Sequence, residues 1–82
     1  MEEQVGKIIH FYDKISVAVV RLEAGLKAGD TIHVKGNVTD FEQAVESMQL
    51  DHQAVDSAGK GEEVAVKLGG KAREGDIVYR KS

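Results

Sequence analysis

The sequence predicts an all-β fold, and three observations carry that expectation. The same short phrase restarts three times, as GDTIHV from Gly29 to Val34, GEEVAV from Gly61 to Val66 and GDIVYR from Gly75 to Arg80: a glycine and an acid lead into an apolar alternation. The opening third of the chain is dense in β-branched and aromatic residues, which favour strands. There is no proline in the 82 residues, so nine glycines must do most of the turning.

Taken in order, VGKIIHFY from Val5 to Tyr12 is the first strand. Asp13 and Lys14 interrupt it, and ISVAVVRL from Ile15 to Leu22 is its hairpin partner. A two-residue primed turn needs positive φ, for which neither Asp13 nor Lys14 is the favoured residue, so the loop is expected to be longer and to take in Tyr12 or Ile15. In the second run Ile15, Val17 and Val19 face one way and Ser16, Ala18, Val20 and Leu22 the other. Both faces are apolar or small, as in a strand covered on both sides or lining a small barrel. Glu23 to Asp30 supplies turn chemistry. Asp30 to Gly36 is the third strand, with Ile32 and Val34 on one face and Thr31, His33 and Lys35 on the other.

The stretch from Thr39 to Val55 supports two readings. Phe41, Ala44, Val45 and Met48 stand at i, i+3, i+4 and i+7, a helical stripe, and Asp40 with Gln43 matches a capping box. By local pattern this is a helix of about ten residues. A strand here needs a break in alternation between Val45 and Met48, such as a bulge. Asp56 to Glu62 is loop, Glu63 to Leu68 a strand, Gly69 to Asp76 loop again, and Asp76 to Arg80 the last strand.

Gly29, Gly61 and Gly75 each end a polar loop directly before a strand. A glycine there allows positive φ at little steric cost, and the next carboxylate can accept from turn amides. A phosphate loop would run into a helix N-terminus instead, and an acid beside the glycine would repel the anion. GKGEE also lacks the spacing and hydroxyl of a P-loop. The three glycines are therefore expected to be structural turns.

Composition excludes several classes. The chain is expected to form one domain over residues 1–82 with a small core, burying only about 60–65% of the surface exposed when unfolded. It has no cysteine, hence no disulfide and no thiolate metal site. No apolar run approaches the ~20 residues of a membrane helix. The opening MEEQVGK is acidic where a secretory signal begins basic, so a cytoplasmic location is expected. The net charge of −3 argues against nucleic-acid binding by bulk electrostatics.

No catalytic, cofactor or metal site is expected. Ser16, Ser47 and Ser57 lack the context of a nucleophile. His10, His33 and His52 show no ligand spacing, and only tertiary structure could gather them. Binding has better support. His10, Phe11 and Tyr12 form an aromatic cluster beside Lys14, chemistry suited to stacking a base and touching a phosphate. Equally, Phe11 can be core, with Tyr12 packed over one end of the molecule. Further on, Lys67, Lys71, Arg73, Arg80 and Lys81 outnumber Glu74 and Asp76, a local cationic bias. Tyr12, Lys14, Lys71 and Arg73 are the binding candidates.

The ordered set VGKIIHFYDKISVAVVRL, GLKAGDTIHVKG, QAVESMQ, AGKGEEVAVKL and REGDIVYR resembles the second, β-barrel domain of translational GTPases such as elongation factor Tu, over about residues 5–80. It is more similar still to small stand-alone elongation-factor-like proteins. The resemblance implies a closed antiparallel barrel of six to eight strands, in which Gln43 to Gln49 is a strand. It implies a non-catalytic module contacting transfer RNA, the ribosome or a translation-associated partner. The chain departs from that pattern at Asp13–Lys14, where the GTPases have a glycine–arginine–glycine turn, and it has no nucleotide-binding domain, so GTP hydrolysis is not expected. The alternative, favoured by the acidic charge, is a protein-interaction module serving an enzyme in trans.

Overall fold

Ten strands, and among the described residues no helix, make up the computed structural model, which describes residues 2–81. They are β1 (Glu2–Tyr12), β2 (Val17–Leu22), β3 (Leu26–Lys27), β4 (Thr31–Lys35), β5 (Asp40–Ala44), β6 (Met48–Leu50), β7 (Gln53–Val55), β8 (Ser57–Ala58), β9 (Glu63–Lys67) and β10 (Ile77–Lys81). Eight form one antiparallel sheet in the order β5-β4-β10-β1-β2-β9-β6-β7, and β3 pairs with β8. No helix among the described residues is long and apolar enough to cross a membrane.

Alternation decides which residues form the core. Ala18, Val20 and Leu22 of β2, Ile32 and Val34 of β4, and Val64 and Val66 of β9 are all buried at every second position. β1 breaks the rule. Its register slips between Gln4 and Gly6 against β10, and again between Ile8 and His10 against β2. Bulges of this kind bend a strand and re-aim its side chains. Hence Val5 and Ile8, three apart, are both buried while Ile9 faces out. The β1–β2 loop spans residues 13–16 and takes in Ile15, with Ser16 at φ +54.

Between residues 40 and 50 neither a helix nor one strand is present. β5 pairs with β4, and after Val45–Ser47 the chain resumes as β6, paired with β9 and β7. The helical stripe is a coincidence of two strands: Val45, in the link, and Met48, on β6, are both buried. β7, at the end of the stretch with two readings, is joined to β6 by a turn whose Asp51 and His52 have φ +53 and +65, and β8 falls where loop was expected.

The ladder ends at β5 and at β7, so the expected closed barrel is not seen as a closed ladder. One side chain spans the distance from β5 to the end of β9. Gln43 Nε2 donates to the Lys67 carbonyl at 2.9 Å, and the Gly69 amide donates to Gln43 Oε1 at 2.6 Å.

The three glycine phrases build one joint three times. Gly29, Gly61 and Gly75 have φ +95, +88 and +94. In each joint the following acid closes the turn. The amides of Asp30, Glu62 and Asp76 donate to the carbonyls of Lys27, Gly59 and Arg73, each at 3.1 Å. Their carboxylates accept from the Lys27, Gly59 and Arg73 amides at 2.9, 2.7 and 2.8 Å. The glycine amide then donates to the carbonyl of a buried apolar residue, whose own amide returns to the acid's carbonyl. Val45, Leu22 and Ile8 are those residues, with all six bonds between 2.7 and 2.9 Å. Each joint thus ties a turn to a core position elsewhere in the chain. Asp76 is itself buried, and a Cβ at Gly36 would stand 1.9 Å from its Oδ1.

Candidate functional site

The β1–β2 loop and the segments opposite it form one end of the molecule. Tyr12, at the end of β1, is 50% exposed, Ile15 in the loop 56%, and Val38 between β4 and β5 69%; these three are the most exposed large apolar side chains among the described residues. Phe11, half-buried against the core, and Asp13 line two adjoining hollows. The first is completed by Tyr12, Lys14 and Ile15, the second by Val38, Lys71 and Arg73. All four sequence candidates, Tyr12, Lys14, Lys71 and Arg73, therefore come to one end, although 59 residues separate Lys14 from Arg73 in sequence.

Local contacts fix this end. The His10 ring lies 4.2 Å from the Tyr12 ring between centroids, tilted at 59°. His10 Nδ1 is 3.3 Å from a Glu74 carboxylate oxygen. Lys67 Nζ donates to the Ile15 carbonyl at 2.6 Å, and the Leu68 amide to the Ser16 carbonyl at 2.8 Å. Lys14, Lys71 and Arg73 make no ion pair among the described residues. Lys14, Lys71 and Arg73 thus share these hollows with Asp13, and Glu74 stands beside them, at His10 and in the adjoining hollow that Val38 and Arg73 also line.

A second cluster lies on the outer face of β4. Ile32 and Val34 point into the core, so His33 between them points out, opposite Glu42 of β5 and Tyr79 of β10. Its Nδ1 meets Glu2 at 2.8 Å and its Nε2 meets Asp40. Those two carboxylates raise the His33 pKa above its usual value, Asp40 most, and His33 in turn lowers that of Asp40. Donor atoms of Glu2, His33 and Glu42 lie within 4.8 Å of one another, a spacing a metal ion could use. Each donor already has a protein partner, however: His33 as described, and Glu42 the Lys81 ammonium at 3.1 Å. The arrangement is a charge clamp joining β1, β4, β5 and β10. Sequence reasoning placed His33 on the exposed face of its strand but not in this clamp, because its partners come from residues 2 and 40, brought beside it only by sheet pairing.

The three histidines are not gathered. His33 lies across from Tyr79, and Tyr79 from Gln4, six residues and roughly 20 Å along β1 from His10. His52 sits in the β6–β7 turn. The side-chain partners of His10 and His33 are carboxylates and an aromatic ring, not serines.

No family model matches the chain. It is 48% identical over 77 residues to an uncharacterized protease of Methanocaldococcus jannaschii, a match that covers 93% of this chain and 19% of that protein. It is 35% identical over 78 residues to a collagenase of Porphyromonas gingivalis, covering 93% of this chain and 22% of the collagenase. The chain spans about a fifth of the length of these curated relatives. Two crystal structures of the C-terminal domain of a Geobacillus thermoleovorans protein, provisionally assigned as a U32 peptidase, have the same fold. One has a TM-score of 0.89 at 20% identity, covering 96% of this chain and 99% of that domain. The other has a TM-score of 0.91 at 17% identity, covering 98% and 93%.

These relatives overturn the resemblance to the second domain of translational GTPases, and with it transfer RNA, the ribosome and translation-associated partners as the expected contacts. The motifs behind that resemblance are architectural. A glycine–acid joint ahead of an alternating strand satisfies turn amides and buries one strand face, a need that any small antiparallel fold shares.

Proposed function

We propose that this chain is a non-catalytic accessory module of a U32-type peptidase. It binds the peptidase's catalytic unit, whether the two share one polypeptide or meet as separate chains. The observation that supports this most is the asymmetry of coverage: 93% of this chain matches relatives named as proteases, yet it spans only 19–22% of them. A segment that recurs as a minor part of larger proteases is better suited to support catalysis than to perform it. The side chains agree with a binding role. His10 and His33 are held by carboxylates at the surface, and one end carries exposed apolar groups and three cations that make no ion pair among the described residues. On the same reading the sheet works as a barrel, with the Gln43 amide standing in for the missing rungs between β5 and β9.

The test is direct association. The 82-residue chain is immobilised and mixed with the U32-type peptidase of the same organism, prepared without this module and treated with RNase. Saturable binding with one module per peptidase is the expected result. Absence of binding at tens of micromolar peptidase would sink the proposal.

A further inference from the structure

Four large apolar side chains stand more than a third exposed among the described residues, Ile9, Tyr12, Ile15 and Val38, and the three most exposed share one end. A monomer with so small a core gains nothing by leaving them in water, and clustering of this kind marks an interaction face. The face is also prepared for contact. Tyr12 packs against the His10 ring, whose Nδ1 lies 3.3 Å from a Glu74 carboxylate oxygen, contacts that favour one orientation of the Tyr12 ring. The Ile15 loop is pinned from behind by Lys67 and Leu68. Around the apolar groups stand Lys14, Lys71 and Arg73 with Asp13, and the hollow on the far side of Val38 adds Lys35, Glu74 and the buried Asp76, which leaves the cations in slight excess.

We infer that the end formed by Tyr12, Ile15 and Val38, rimmed by Lys14, Lys71 and Arg73, is the surface that docks on the peptidase's catalytic unit, and that the matching face there is an apolar patch edged by carboxylates. The inference rests on the accessory-module reading and adds the surface and the partner's chemistry. Charge complementarity selects this occupant. A second copy of the chain would bring the same three cations against each other, which costs affinity. Single-stranded RNA would meet few cations on a protein of net charge −3. A protein face with an apolar centre and an acidic rim satisfies both parts of the surface. In such an interface the aromatic anchor carries most of the binding energy, and the rim charges set the encounter rate.

Surface plasmon resonance against the same peptidase tests this, with wild-type chain and four variants, three at this end and one control. Tyr12→Ala and the pair Ile15→Asp with Val38→Asp should each weaken binding at least about tenfold, chiefly through faster dissociation. Lys71→Glu with Arg73→Glu should slow association several-fold and flatten its dependence on salt. Glu42→Gln, on the clamp face, should bind as wild type. All substituted side chains are exposed or half-exposed, so melting temperatures report whether each variant is folded. Wild-type binding that survives the three end variants but fails with Glu42→Gln would overturn this surface and leave the accessory reading intact. No wild-type binding would end both. Concentration-dependent dimerisation in sedimentation that Val38→Asp abolishes, or tighter binding to a uridine oligonucleotide than to the peptidase, would replace the occupant and overturn the inference.

Discussion

At the scale of single residues, two kinds of position matter most. Gly29 and Gly75 have nothing within 4 Å of where a Cβ would be, so a side chain meets open space there and the cost of substitution is in φ alone. Gly29→Val and Gly75→Val are expected to destabilise by about 1 kcal/mol or more, a fall in melting temperature of roughly 4–8 °C. Thermal melts decide it; unchanged melting would show that the joints relax without loss. His33 is the second. Its folded pKa is raised, so the stability it contributes is full below its unfolded value, about 6.5, and is lost as pH rises through the folded value. Asp40 has a lowered pKa, so its share is present above about 3.8 and is lost as pH falls through the folded value. The pair is therefore strongest between these limits. Melting temperature against pH should show a difference between wild type and His33→Gln that is widest at about pH 5–6 and shrinks above pH 7. A constant difference across that range would mean that the ring acts by packing rather than by charge.

At the scale of elements, the telling feature is how β5 reaches β9 without a ladder. The Gln43 amide makes one bond as donor and one as acceptor to backbone groups beyond the end of the β6–β9 pairing. Each such bond contributes about 0.5–1.5 kcal/mol, so Gln43→Ala should cost about 1–2 kcal/mol in a urea melt. Hydrogen exchange locates the effect: the Gly69 amide loses its acceptor and should exchange faster, while the β1–β2 pairing keeps its protection. Equal exchange at Gly69 in both proteins would show that the seam is held by packing, with Phe41 over Gly70 the contact in place to do it. The two bulges in β1 act at the same scale. By breaking alternation they put Val5 and Ile8 inside and leave Ile9 outside, allowing one long strand to serve two neighbours.

At the scale of the whole molecule, the sheet gathers Tyr12, Lys14, Ile15, Val38, Lys71 and Arg73 at one end. His10 and His33 sit in surface contacts with carboxylates, and neither is paired with a serine. The isolated chain is accordingly expected to leave gelatin and casein uncut. Fluorogenic assays of both, with zinc or calcium added, measure this; turnover abolished by His33→Gln would instead make the clamp a catalytic site. Partner binding should raise the melting temperature of the module, since a ligand of the folded state alone stabilises by mass action.

The sequence by itself determined the all-β class, the positions of β2, β4, β9 and β10, and the core side of β4, because these depend on a period of two that any strand imposes; which face of β2 is the core was left to the tertiary structure. The glycine phrases were legible for a similar reason: positive φ before a strand is a local demand, and Gly29, Gly61 and Gly75 do carry it. The sequence also placed Tyr12 beside Lys14, and Lys71 near Arg73, without showing that the two pairs share an end. Tertiary structure decided what depends on pairing. It split residues 40–50 into β5 and β6, where a helical stripe fits equally well in one dimension, because Val45 and Met48 reach the core from different stretches of backbone. It created β3, β7 and β8, too short to leave a pattern, and it left the main ladder open where a closed barrel was expected. It built the His33 clamp from residues 2, 33 and 40, since a charge finds its partner through space and sequence distance carries no record of it.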